Sequence, residues 1–152
     1  MGCCAILLDL AKAFDSVNRT ILLFKLQMYG IRGVPLRLIK CYLSNRSQYI
    51  KCKNIKSDLH PSEIGVPQGS VLSPLLFLLF INDLKNSTEL EIINFADDTL
   101  AYKRAGVSSL TQRDLNSEFN KINTWMGKNH LKLNIKKPSS WFSLLAHLSL
   151  AF

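Results

Sequence analysis

The segment Glu91-Ile92-Ile93-Asn94-Phe95-Ala96-Asp97-Asp98-Thr99-Leu100-Ala101-Tyr102 fixes the architecture. Two apolar stretches flank a pair of carboxylates, which predicts a hairpin with Asp97 and Asp98 at its tip. Adjacent carboxylates repel, and a protein that sets a third beside them normally neutralises the group with a divalent cation. That third carboxylate ends the run Cys3-Cys4-Ala5-Ile6-Leu7-Leu8-Asp9. Such a run reads as a central strand, buried on both faces and opening onto a site at its end. Two central strands side by side would gather Asp9, Asp97 and Asp98. Oxygen ligands without His or Cys favour Mg²⁺ over zinc, and two such ions serve in-line phosphoryl transfer. A bare Asp-Asp pair is usually a polar turn. Its setting between apolar strands is what points to chemistry.

Outward from this hairpin the chain alternates helices with strands. Asn18 is placed to cap a helix over 19–29 that Gly30 stops. Pro35 opens a second helix over 35–44, with Leu36, Ile39 and Leu43 on one face. Residues 47–53 alternate, which predicts a half-exposed strand. Gly65-Val66-Pro67-Gln68-Gly69-Ser70 reads as a loop, and Ser73 as the cap of a helix beginning at Pro74. The stretch 75–84 is apolar nearly all round, which predicts deep burial. Leu115, Phe119, Ile122 and Met126 recur at helical spacing within 109–129, so they and Trp125 read as core. A short strand follows over 131–135. The sum is an α+β fold, a sheet with helices packed on it.

At 152 residues the chain is about one domain long and hides roughly two-thirds of its unfolded surface. Its 47% apolar and 20% charged residues exclude disordered and collagenous classes. The longest apolar run, Leu75 to Ile81, falls far short of the ~20 residues of a membrane helix. Met1-Gly2-Cys3-Cys4 departs from the myristoylation pattern at Ile6, and no secretory pattern is present. An intracellular chain with no membrane partner is therefore expected. Cys3, Cys4, Cys41 and Cys52 show neither CxxC nor zinc spacing and read as buried small hydrophobes. His60, His130 and His147 are scattered, without triad partners.

The formal net charge is +8, and its distribution says more than its size. Between Ser16 and Ser57 there is no Asp or Glu, while Arg19, Lys25, Arg32, Arg37, Lys40, Arg46, Lys51, Lys53 and Lys56 all fall there. Phosphate-bearing polymers bind such segments by releasing counterions. The alternative is a basic surface that serves only solubility.

Asp9-Leu10-Ala11-Lys12-Ala13-Phe14-Asp15-Ser16-Val17-Asn18 closely resembles the first catalytic motif of non-LTR retrotransposon reverse transcriptases. Gly65 to Phe77 resembles their second motif, and Phe95-Ala96-Asp97-Asp98 their Y/F-A-D-D box. Trp125, Leu131-Lys132-Leu133-Asn134 and Lys136-Lys137 resemble the fourth, and the flavour is that of the jockey-like LINE group. The resemblance implies a polymerase palm and an RNA-directed DNA polymerase that joins a dNTP to a DNA primer 3′-OH on an RNA template. It implies Mg²⁺, or Mn²⁺ in its place, on Asp9 and Asp97, with Asp98 as the third catalytic carboxylate. Leu10, Phe14, Gln68, Gly69 and Lys137 would meet the nucleotide. Phe14 would exclude a 2′-hydroxyl by its ring, although taken alone it reads as a core aromatic. Lys137, or Lys136 beside it, would protonate pyrophosphate, with Pro138 departing from the family's usual Thr. Arg32, Arg37, Lys40, Arg46, Lys51 and Lys53 would meet template and primer. Lys12 stands in the motif outside the chemistry, and Asp15 reads as a structural carboxylate at the turn into the helix.

Met1 sits almost on the first motif, and the apolar tail after Pro138 no longer resembles the family. The expectation is a palm over 1–137 with fingers and thumb truncated, a non-family tail over 138–152, and a chain inactive without the rest of a longer polyprotein. Three readings stand at this point. They are a polymerase palm, a non-catalytic nucleic-acid-binding relic, and a gene-model fragment that never accumulates.

Overall fold

Strands and helices follow one another from the first residues onward in the computed structural model, which describes residues 2–105 and 112–134. The chain runs β1 (Gly2–Asp9), α1 (Ala13–Ser16), α2 (Arg19–Met28), α3 (Gly33–Leu43), β2 (Ser47–Gln48), β3 (Lys51–Cys52) and β4 (Ile55–Lys56). It continues through β5 (His60–Pro61), α4 (Leu72–Ile81), a 3₁₀ helix (Asn82–Ser87), β6 (Glu91–Phe95), β7 (Asp98–Ala105) and α5 (Gln112–Lys128). This is the expected mixed α+β, palm-like class. Two compact units divide it: Met1–Ala13 with Ile81–Phe152, and Phe14–Phe80. Lys136, Lys137 and the tail over 138–152 lie outside the described residues. Among those described, no helix is long and apolar enough to cross a membrane.

The first unit is built on an antiparallel sheet of order β1-β7-β6. Its two faces differ. Ile6, Leu8, Thr99 and Ala101 are buried on one, where the Thr99 hydroxyl donates to Asn94 Oδ1 at 3.0 Å. On the other, Leu7, Ile93 and Phe95 are 43%, 51% and 81% exposed, and Tyr102 donates to Glu91. Among the described residues, the strand expected to be central and buried on both faces therefore stands at the outside of the three-stranded order with one open face. The central place belongs to β7. A continuous apolar run cannot by itself distinguish these positions, because the tell-tale alternation is hidden when both faces carry Leu. Ile122 and Met126 are buried on α5, as their spacing predicts, with Trp125 beside them. Glu118, also buried, reaches from α5 to accept from the Thr88 hydroxyl at 2.6 Å and the Glu89 amide at 2.8 Å. The strand expected over 131–135 reduces to one bridge, Leu10 to Leu133, with Ile135 outside the described residues.

The second unit holds α2, α3 and four short strands. Asn18 caps α2 as its sequence predicts, accepting from the amides of Thr20 at 3.0 Å and Ile21 at 3.1 Å. Gly30 then turns the chain out of the helix at φ +91°. Helix α3 begins at Gly33, two residues before the expected start. Pro35 is tolerated there because first-turn amides have no partner within the helix. Leu43 is buried, and Leu36 and Ile39 are half-buried on the predicted face.

Four expectations fail in this unit. The strand over 47–53 is two fragments, β2 paired with β5 and β3 paired with β4, all exposed. With no buried face, nothing holds one register across the alternation. Ser70 is the side chain that caps α4, accepting from the Ser73 amide at 3.2 Å, while Ser73 turns back to donate to the Pro67 carbonyl. Helix α4 is not buried all round: Leu76, Phe77 and Phe80 are enclosed, while Leu75 and Leu78 are 53% and 39% exposed. Cys41 and Cys52 are exposed free thiols rather than core hydrophobes, one on the outer side of α3 and one on a strand without a buried face. The side chains of Cys3 and Cys4 lie outside those described.

Candidate active site

The β6–β7 hairpin closes through the two residues Ala96 and Asp97, with Phe95 paired to Asp98. Ala96 has φ +54°, while Asp97 stays outside the left-handed region, the φ pattern of a type II′ turn. Glycine is the usual residue there, so Ala96 holds the tip in a conformation that costs about 1 kcal/mol. On the far side of β7, the register sets Asp9 directly opposite Asp98. Cross-strand partners project from the same face, so both carboxylates stand on the open face, with Asp97 in the adjoining turn.

Asp9 is fixed from a second direction. Asn134 donates from its side-chain amide to Asp9 Oδ2 at 2.8 Å, and the Asn134 backbone amide donates to the Asp9 carbonyl at 2.8 Å. Together with the bond from the Ala11 amide to the Lys132 carbonyl at 2.8 Å, this seats the 131–134 segment along the end of β1. Asp9 is 8% exposed, whereas Asp97 is half-buried and Asp98 exposed. No side-chain hydrogen bond or ion pair engages Asp97 or Asp98 among the described residues, so both keep their ligand capacity. Among those residues, no three His, Cys, Asp or Glu side chains are gathered closely enough to hold an ion by themselves. The donor set suits a hard divalent cation whose remaining ligands come from water or substrate oxygens.

In the second unit a loop is braced at several points. Gly65 has φ +80°, and a Cβ there would lie 2.8 Å from the Asp15 Cα and 2.9 Å from its carbonyl oxygen. Only glycine fits. The Gly65 amide donates to the Val17 carbonyl and the Val66 amide to the Phe14 carbonyl, each at 2.8 Å. Asp15, read as a structural carboxylate at the turn into the helix, accepts from the Gln68 side-chain amide at 2.8 Å, while Asn18 does the capping. The Gln68 side chain is thus oriented by Asp15. Gly69, at φ +77°, has open space where a side chain would project. Phe14 is half-buried, its ring 5.0 Å from that of Phe77 and tilted by 43°. Leu10, in the first unit, is buried at 4% exposure and contributes packing. Lys137 lies outside the described residues.

Sequence reasoning missed Arg19 as the chief brace. Its guanidinium donates to the carbonyls of Gly65 at 2.7 Å, Leu43 at 2.8 Å and Ile64 at 3.0 Å. It also donates to the Ser62 carbonyl and, at 3.1 Å, to the Ser62 hydroxyl. Lys25 is turned inward too, 9% exposed, with its ammonium 2.8 Å from the Phe80 carbonyl and 4.7 Å over the Phe80 ring. A segment without acids offers its cations only carbonyls and rings, and that absence was the available signal. Arg32, Arg37, Lys40, Arg46, Lys51 and Lys53 are all exposed.

Residues 1–143 match the family described as reverse transcriptase (RNA-dependent DNA polymerase). The chain is similar to the RNA-directed DNA polymerase from mobile element jockey of Drosophila melanogaster, 28% identical over 86% of this chain and 15% of the relative. It is also 28% identical to the probable RNA-directed DNA polymerase from transposon BS of Drosophila melanogaster, over 89% of this chain and 16% of the relative. A third relative, the probable RNA-directed DNA polymerase from transposon X-element of Drosophila melanogaster, is 26% identical over 91% of this chain and 16% of its own length. The chain thus spans about 15% of the length of these curated relatives.

Proposed function

Because the chain belongs to the reverse transcriptase family, we propose that it is the palm of an RNA-directed DNA polymerase of a non-LTR retrotransposon, occupying 1–137. Its substrates on this reading are a dNTP, a DNA primer and an RNA template, and its place is inside the cell, in cytoplasm or nucleus. The observation that carries the reading is the register that sets Asp9 against Asp98 beside the Asp97 turn, on the open face of the sheet.

Asp9, Asp97 and Asp98 would hold Mg²⁺, or Mn²⁺ in its place. The bound cations supply charge neutralisation for phosphoryl transfer to the primer 3′-hydroxyl. Asn134 keeps the Asp9 carboxylate aimed through its side-chain amide. Phe14, whose ring packs on that of Phe77, would exclude a ribose 2′-hydroxyl. Gln68, held by Asp15, and the open backbone at Gly69 allow close approach of nucleotide and template. Lys137 would donate a proton to the leaving pyrophosphate.

The test is a Mn²⁺ titration of the chain read by water-proton relaxation, beside Asp97→Asn. Weak binding that disappears in the variant is expected; an unchanged titration places the metal elsewhere and overturns the site. Polymerase action is tested by grafting 5–137 into the matching stretch of the jockey enzyme. Primer extension that Asp97→Asn abolishes supports the reading. A folded graft that extends no primer supports instead the second reading, a nucleic-acid-binding protein without catalysis, which the uncompensated charge of the Phe14–Phe80 unit favours.

A further inference from the structure

The Phe14–Phe80 unit carries nine basic residues against three acidic ones, Asp15, Asp58 and Glu63, a net charge of +6. Within it lies a cleft of about 410 Å³ between the end of α3 and the 61–63 segment, lined in part by Arg19, Lys40, Ser44, Arg46, Ser62 and Glu63. We infer that this cleft seats one backbone phosphate of a nucleic-acid strand, gripped by Arg46 and Lys40. The inference rests on the proposed nucleic-acid function and adds a defined contact to it.

Arg46 is prepared for such a ligand. Its Nε donates to the Tyr42 carbonyl at 2.9 Å, and its guanidinium carbon stands 4.7 Å over the Tyr42 ring. Tyr42 is itself held, its hydroxyl donating to Ser70. The guanidinium is thereby fixed in plane, while no acceptor among the described residues takes its two amino groups. A fork already ordered loses little entropy on meeting a phosphate, which matches its geometry with two parallel hydrogen bonds. Lys40, exposed on the last turn of α3, makes no ion pair among the described residues and adds a second cation at the same cleft.

Arg19 also lines the cleft, but its donors are taken up by backbone carbonyls and the Ser62 hydroxyl, so it contributes charge without competing for the ligand. Burial lowers the Arg19 pKa, and the neighbouring Arg46 charge lowers it further, so the two cations repel. An anion in the cleft relieves that repulsion. Glu63 opposes it from the rim, but the carboxylate is exposed and makes no ion pair with these cations among the described residues. A strand fits better than a free nucleotide, because Arg37, Lys51 and Lys53 are exposed on the same unit to meet further phosphates.

The experiment is fluorescence anisotropy with a labelled single-stranded oligodeoxynucleotide over a salt series. It compares the unmodified chain, Lys40→Gln/Arg46→Gln, and Lys85→Gln/Lys128→Gln, which removes equal charge elsewhere. The cleft variant should bind at least tenfold more weakly and lose about 0.7 from the log–log salt slope, as for one phosphate on a single strand. The control should keep most of both. Lys40→Gln alone, at an exposed position, should lose about half the slope change and guards against misfolding of the double variant. Equal weakening in cleft and control variants refutes the cleft while leaving nucleic-acid binding intact. No salt-dependent binding by the unmodified chain refutes both. Displacement of the strand by excess dATP from the unmodified chain, but not from the cleft variant, gives the site to a free triphosphate and overturns the strand assignment.

Discussion

Replacing Arg19 by Met removes the cation that holds the 62–65 segment to the end of α3 and keeps the aliphatic stem. Four carbonyls and one hydroxyl lose their donor. A hydrogen bond to a charged group contributes about 1.5–3 kcal/mol, so a simple sum over five would exceed 7. That sum is too large. The guanidinium is only half-buried, water can reach some of the freed oxygens, and bonds sharing one donor group are not additive. A net loss of about 3 kcal/mol is the reasonable magnitude, equivalent to roughly a hundredfold in an opening equilibrium.

The reporter is native-state hydrogen exchange at the Gly65 and Val66 amides, whose bonds to Val17 and Phe14 span the braced loop. Exchange at these amides should speed up about a hundredfold in Arg19→Met, with β7 amides of the other unit changed little. Arg19→Lys should fall between, because one ammonium cannot serve carbonyls spread across a planar fork. Protection within about threefold of the unmodified chain in Arg19→Met would refute the reasoning and show that glycine geometry alone holds the loop.

Two further outcomes follow from single contacts. Burial pushes the Glu118 carboxyl up, but hydrogen bonds from Lys121, Thr88 and the Glu89 amide outweigh it and hold its pKa down to about 2. The unfolded chain therefore binds more protons between about 4.5 and about 2, and stability from Glu118 is complete above that window and lost as pH falls through it. Urea denaturation of Glu118→Gln should show a deficit of about 1–2 kcal/mol at neutral pH, from charge-assisted bonds made neutral, that closes by the bottom of the window. A pH-independent deficit contradicts this. Ala96→Gly should raise the stability of the hairpin by about 0.5–1 kcal/mol, because glycine adopts φ +54° without penalty. An unchanged or lower denaturation midpoint removes the argument for strain at the turn.

The sheet was legible because its information is local. The two apolar stretches around Asp97-Asp98 carry the hairpin within a dozen residues, and the carboxylate ending β1 marks where its partner must begin. The Asn18 cap was equally readable, since an Asx side chain preceding a helix has few other local uses. What failed needed knowledge of which faces are covered. β1 and α4 are apolar on every side in sequence, yet each leaves one side open, and composition holds no record of that choice. Ser70 and Ser73 are both competent caps three residues apart, and only the path of the Pro67 loop decides between them.

Charge illustrates the same limit more sharply. From sequence the nine cations between Ser16 and Ser57 look equivalent, because no Asp or Glu stands among them. The fold divides them by reach: position 19 at the start of α2 faces the 62–65 carbonyls, and position 25 faces the end of α4. These two answer a structural need, since a loop at φ +80° leaves carbonyls turned away from any strand partner. Among the described residues the rest form no ion pair with a carboxylate, and their mutual repulsion is a cost to the folded unit. On the proposed function, a nucleic acid that lowers this repulsion would bind the folded form in preference to the unfolded one, linking binding and stability of this unit through the same side chains.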